Sequence, residues 1–154
     1  MANRIEPKLI PELFDELQTE RFVTVATVDY ETGGPSVNAI SWVIASDEET
    51  VVFAVDRRSK IVENVKYNHL VVINLIANES TYSISGEARI LKERLENVPL
   101  KLSLIRVCIH EVKDVMFYGS KISTEPGYEK TYDEKAADRL DRQVIEAMKN
   151  SVDN

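Results

Sequence analysis

The chain has one cysteine, one tryptophan, two histidines and five glycines in 154 residues. A lone Cys108 excludes an internal disulfide and any metal centre built on paired thiolates. It falls in a strand-like run and is expected to act as a small buried apolar group. His69 and His110 lie far apart, in no spacing used by zinc or haem sites, so both are read as structural. No apolar run approaches the length that spans a bilayer. The opening MANRIEPKLI lacks the apolar core of a secretory leader, which makes a reduced cytoplasm the expected location. Positive charge is also short: 19 Lys and Arg face 26 Asp and Glu, for a net charge of −7. That balance argues against nucleic acid or an anionic membrane as partner. The carboxylates gather in helix and turn segments as solvated faces. There is no Ser–His–Asp arrangement and no Walker-type glycine loop.

What is present is a 44% hydrophobic chain long enough for a real core, expected to form a single domain over 1–154. Residues 8–19 read as a short helix with Ile10, Leu13, Phe14 and Leu17 on one face. FVTVATV (22–28) is β-rich and nearly apolar on both faces. DYETGGP turns the chain, 36–45 runs back as a strand, and DEET turns it again before Val51. LVVINLIA (70–77) is an almost continuous apolar run. Residues 82–91 alternate, with Gly86 in mid-strand marking a bulge or a close backbone approach. Residues 102–112 make a sixth strand, and 133–149 an amphipathic helix with Ala137, Leu140, Val144 and Met148 on one stripe. Six short strands with one internal helix favour antiparallel pairing, and a small closed barrel removes exposed edges most economically.

The chemistry is concentrated in VVFAVDRRSKIVENVKYN (51–68). A strand runs into a helix, and Arg57, Arg58, Ser59 and Lys60 stand at the join. A helix N-terminus offers unpaired N–H groups and a partial positive charge, which suits a phosphate. Arg adds two-point donation and Lys a mobile point charge. Against this, Asp56 sits beside the cluster, and Val62 stands where a capping box needs Glu or Gln. The plainer reading is a solvated basic turn in which Ser59 caps the helix.

The order FVTVATVDYETGGPSVNAISWV, VVFAVDRRSK, IVENVKYN, an apolar strand and SISGEARIL resembles the pyridoxamine-5′-phosphate-oxidase-like FMN-binding split barrels. The resemblance covers roughly residues 8–112. It implies a mainly β, six-stranded antiparallel split β-barrel with flanking helices, its core at about 20–112 and a C-terminal helical extension at about 113–154. It also implies a homodimer that holds FMN in clefts between the subunits. By the same resemblance Ser59 and Lys60, preceded by Arg57 and Arg58, fall on the phosphate site. Ala54 and Val55 border the ribityl chain and ring, and the backbone of Ile40, Ser41 and Trp42 lies along the isoalloxazine edge.

The chain departs from the family pattern at three places. Asn38, placed with the cofactor site, stands where many relatives carry a basic residue. Ile61 replaces a second cation of the pyridoxamine phosphate oxidases, which also have a flavin-facing Gln near Thr81. Their substrate-gathering C-terminal Arg and His segment has no counterpart in 113–154, so the resemblance is to the shorter general-stress and oxidase-related group. An FMN-dependent oxidoreductase acting on an unidentified small molecule is the first expectation. A flavin-binding or stress-related protein without turnover, and a dimeric barrel that has lost FMN, are the alternatives. Deazaflavin or haem in place of FMN also stays open.

Overall fold

Strands whose apolar residues run without a break need cover on two faces, whereas alternating strands need it on one. The distinction organises the sheet of this protein, which a computed structural model describes over residues 4–152. In chain order the elements are β1 (Ile5–Glu6), α1 (Pro11–Glu16), β2 (Val23–Val28), β3 (Pro35–Ile40), β4 (Val43–Asp47) and β5 (Thr50–Asp56). There follow α2 (Lys60–Tyr67), β6 (Leu70–Ala77), β7 (Ser80–Lys92), β8 (Leu102–Asp114) and α3 (Glu134–Val152). Every ladder is antiparallel, in the order β3-β2-β6-β7-β8-β5-β4, with β1 added on β8.

The core inside the curled sheet is built from one face of β2, β4, β5, β6, β7 and β8, including Val25, Phe53, Ile73, Leu75, Ile84 and Ile105, with α1 and α2 packed against it. A second apolar cluster lies on the opposite face of β4, β5 and β8. There α3 lays Val144, Ala147 and Met148 against Ile44, Val52, Ala54 and Leu104. This is why VVFAV reads as an unbroken apolar run: all five residues of β5 from Val51 to Val55 are buried, alternately in one cluster or the other. β2 and β6 carry the same two-sided apolar signature, yet their outward residues Ala26, Val28, Val72 and Ile76 stay half-buried and Leu70 is exposed.

The expected antiparallel framework with flanking helices is present, with corrections of detail. Among the described residues there are eight strands instead of six, and the hydrogen-bonded path has two edges, β3 and β4, instead of closing. The run 36–45 is not one strand. At Ser41 and Trp42 the chain leaves the ladder with β2 and joins the ladder with β5, so one apolar run serves two halves of the sheet. The helix expected over 8–19 is confined to Pro11–Glu16, because the Gln18 side chain takes over as donor to the carbonyls of Phe14 and Ala45. Cys108 is exposed, not buried. It alternates with buried Val107 and Ile105, so its side chain points out of the sheet opposite Thr50 and Glu87.

Gly86 is required by close approach. The β7–β8 register shifts between Ser85 and Gly86, and a Cβ at Gly86 would stand 2.2 Å from the Cys108 carbonyl oxygen. Gly86→Ala is therefore expected to lower stability by about 3 kcal/mol, the upper end for overpacking. Denaturant unfolding measures it, and a loss below about 1 kcal/mol would show that the two strands part freely there.

Candidate ligand site

The β5–α2 corner forms because Asp56 ends the strand and Ser59 caps the helix. The Asp56 carboxylate accepts from the Arg58 N–H at 2.8 Å, and the Ser59 hydroxyl oxygen accepts from the Ile61 N–H at 3.1 Å. Those contacts turn the backbone sharply and leave the Arg57 and Arg58 side chains in solvent. Arg58 is 90% exposed, and its guanidinium meets Asp56 only at 3.6 Å. Lys60 is differently placed. Its ammonium lies 2.8 Å from Asp29 and 3.5 Å from Glu31, both on the β2–β3 turn, and 5.7 Å from the centre of the Tyr30 ring. Hydrogen bonding from Lys60, then from the Thr32 and Glu31 N–H groups, draws the Asp29 carboxyl down from 3.8 to about 2. The Lys60 ammonium is raised by the same partner.

That turn is fastened to α2 a second time, by Asn64. Its fully buried side chain donates to the Thr27 hydroxyl at 2.9 Å and accepts from the Tyr30 N–H at 3.0 Å. A polar residue between Ile61 and Val65 on the apolar face of α2 is the sequence sign of such a bond.

The strand switch makes a second constellation. The Ser41 carbonyl accepts from Arg21 N–H and the Trp42 carbonyl from Ala54 N–H, each at 3.0 Å. Their side chains are gripped by Glu20, just before β2, and by the segment after β8. Glu20 accepts from Ser41 Oγ at 2.8 Å, Lys130 Nζ at 2.8 Å and the Tyr128 hydroxyl at 3.1 Å. Asp141 of α3 accepts from Trp42 Nε1 at 2.9 Å and pairs with Lys130 at 3.0 Å. Burial lowers the Lys130 pKa, but the two carboxylates outweigh it and the net shift is upward. Phe22, Ala39, Ile40, Ser41, Tyr128 and Lys130 enclose a recess of about 240 Å³.

The sequence-derived site residues therefore fall into three settings. Arg57, Arg58, Ser59 and Lys60 share the corner. Ile40 and Ser41 line the recess, which holds none of those four. Trp42 packs against the α3 cluster, Ala54 and Val55 are buried within the two clusters, and Asn38 is exposed on edge strand β3 opposite Val25. Sequence reading missed Glu20, Lys130, Asp141 and Asp29. Only Asp141 left a sign, as an acidic residue four after Ala137 and three before Val144 on an otherwise apolar stripe.

The corner offers a phosphate monoester two exposed guanidiniums and one hydroxyl at the start of an eight-residue helix, although the Ile61 and Val62 N–H groups already bond Ser59. Its charges are already balanced, with Arg57, Arg58 and Lys60 against Asp56, Asp29 and Glu31, so an arriving phosphate must share Lys60 with carboxylates. No group of His, Cys, Asp and Glu able to hold a metal ion occurs among the described residues.

The profile of the family described as "Pyridoxamine 5′-phosphate oxidase" matches residues 9–115. Several solved structures share the fold. A protein of Lactobacillus delbrueckii, described as a candidate pyridoxamine 5′-phosphate oxidase, superposes with a TM-score of 0.60 at 20% identity, covering 73% of this chain and 98% of that one. General Stress Protein 26 from Bacillus anthracis gives a TM-score of 0.52 at 16% identity, over 64% of this chain and 86% of the other. HutZ, a haem storage protein from Vibrio cholerae, gives 0.52 at 15% identity, over 71% and 96%. No curated protein matches the sequence. The profile spans the strand switch, the β5–α2 corner and every strand from β2 to β8, and on that match the chain belongs to the pyridoxamine 5′-phosphate oxidase family.

Proposed function

We propose that this protein is a homodimeric FMN-binding flavoprotein serving as an oxidoreductase on a small molecule. The observation that carries the reading is the β5–α2 corner of a family member, where the exposed Arg57 and Arg58 side chains and the Ser59 hydroxyl stand at a helix N-terminus. FMN would supply the hydride or electron chemistry. The chain's part is to anchor the phosphate at the corner. It would also set one edge of the flat ring against Ile40 and Ser41, whose recess is walled by Tyr128. The neutral charge of the corner favours a second reading, a barrel that has lost FMN, because Asp29 already satisfies Lys60. Mass spectrometry of whatever the denatured protein releases decides among FMN, haem, a deazaflavin and nothing.

The uncovered outward face of β2 and β6 supports the dimer. Val37 pairs across to Ala26 and Ala26 to Val72, which sets a continuous apolar row on that face. Val37 is 64% and Leu70 57% exposed. On β5 the equivalent apolar side is buried by α3, whereas here a second copy would bury it. Charged residues are absent from this row, as in the core of stable interfaces.

Three outcomes test the reading. Arg58→Ala with Lys60→Ala is expected to weaken FMN binding at least tenfold in a flavin titration, since each charge-assisted hydrogen bond contributes about 1.5–3 kcal/mol. Equal affinity would remove the corner from the site. Asp29→Asn is expected to tighten FMN by freeing Lys60, and it also carries a pH signature. Because folding lowers the Asp29 pKa from 3.8 to about 2, its stabilising contribution is complete above the first value and fades as pH falls through the second. The stability gap between the native chain and Asp29→Asn, followed by urea unfolding, should thus be steady near neutrality and close towards pH 2. Val37→Lys with Val72→Lys should convert the dimer to a folded monomer in light scattering, and a monomeric native protein would refute the assembly.

A further inference from the structure

At the end of the barrel under α1, four separate parts of the chain enclose a cavity of about 630 Å³. Its floor is Ile10, Leu13, Tyr82 and Val112, the last three buried in the core. The walls are tied in place. Asp114 N–H donates to the Arg4 carbonyl at 3.0 Å, Val115 N–H to Thr81 at 2.9 Å and Ile122 N–H to Glu79 at 2.8 Å. Phe117 and Tyr118 line the mouth at 68% and 95% exposure, apolar surface that a bound molecule would cover. The volume falls within the usual range for small-molecule sites.

The charges around the cavity decide what it can hold. Arg4 pairs with Glu6 at 2.6 Å and Lys121 with Glu79 at 2.8 Å. Asp114 accepts from the Ser80 hydroxyl at 2.6 Å and the Met116 N–H at 3.1 Å. Two cations against three carboxylates leave the lining with one surplus negative charge, and none of the five is without a partner. A phosphate or carboxylate would enter this cavity unpaired and against an unfavourable field, at the cost of its hydration. The Tyr82 hydroxyl accepts from Asn78 Nδ2 at 3.1 Å, which leaves its proton to donate.

We propose that this cavity is a small-molecule site for a neutral, ring-bearing compound with one hydrogen-bond acceptor, its rings against Leu13 and Val112 and its acceptor on the Tyr82 hydroxyl. The assignment is independent of the flavin reading, since the lining repels the anionic cofactor that the β5–α2 corner would attract. The probe is prodan, a neutral naphthalene ketone whose emission shifts to the blue in apolar surroundings. Titration of the full chain should give one saturable site per protomer, unmoved by saturating FMN. Ser120→Trp, an exposed position on the wall, should weaken binding at least tenfold without lowering the melting temperature. Tyr82→Phe, which keeps the ring and removes the donor, should weaken it about threefold. Absence of saturable binding below about 1 mM, equal affinity in both variants, or displacement by FMN would each overturn the assignment.

Discussion

Two adjacent carbonyls point into different halves of the sheet, and the rest of the structure depends on that divergence. Ser41 is bonded from the β2 side by Arg21, and Trp42 from the β5 side by Ala54. A strand that changes partners within two residues leaves side chains outside both ladders, and these have to be held by something else. Here Glu20 and Asp141 grip Ser41 and Trp42, with Lys130 between them as a shared, partly buried cation. A buried cation facing one carboxylate seldom recovers its hydration, but two carboxylates hold it charged, which is the sense of its raised pKa. The segment after β8 is therefore bound into the strand switch and is not an appendage to the sheet.

Much of this fold was legible in the sequence because period and continuity report burial directly. The alternation of 82–91 marked a strand with one wet face, and Gly86 marked the close approach to Cys108. The corner at 56–60 was legible for the same reason: Ser before a helical pattern is a cap wherever it occurs. The switch at Ser41 and Trp42 was not, since hydrophobic pattern is unchanged when a strand changes partner. Cys108 was misplaced because a run rich in Val and Ile masks which residues face out. Asp29 escaped notice because its partner Lys60 lies 31 residues further on, and long-range ion pairs leave no local pattern.

The two apolar-sided ends of the sheet show one sequence feature met in two ways. On β5 and β8 the second face is closed within the chain by α3. On β2 and β6 the same composition is left half-exposed, which a soluble surface rarely sustains over a contiguous patch. The difference lies in connectivity. The segment after β8 crosses towards the strand switch and lays its apolar stripe on β4, β5 and β8, at the other end of the sheet from β2 and β6.

The turn between β2 and β3 joins that open face to the anion corner. Gly33 and Pro35 border a depression of about 440 Å³ on the outward face, beside Ala26, Val28 and Leu70. Four residues earlier on the same turn, Asp29 holds Lys60, and the bond from Gly33 N–H to the Asp29 carbonyl at 2.8 Å keeps the two ends of the turn together. In the proposed dimer a partner seated on the depression would press on the loop carrying Asp29, the carboxylate with which the proposed phosphate would compete for Lys60. A ligand that prefers one arrangement of the turn would then favour the assembly that imposes it, and the assembly would favour the ligand by the same factor.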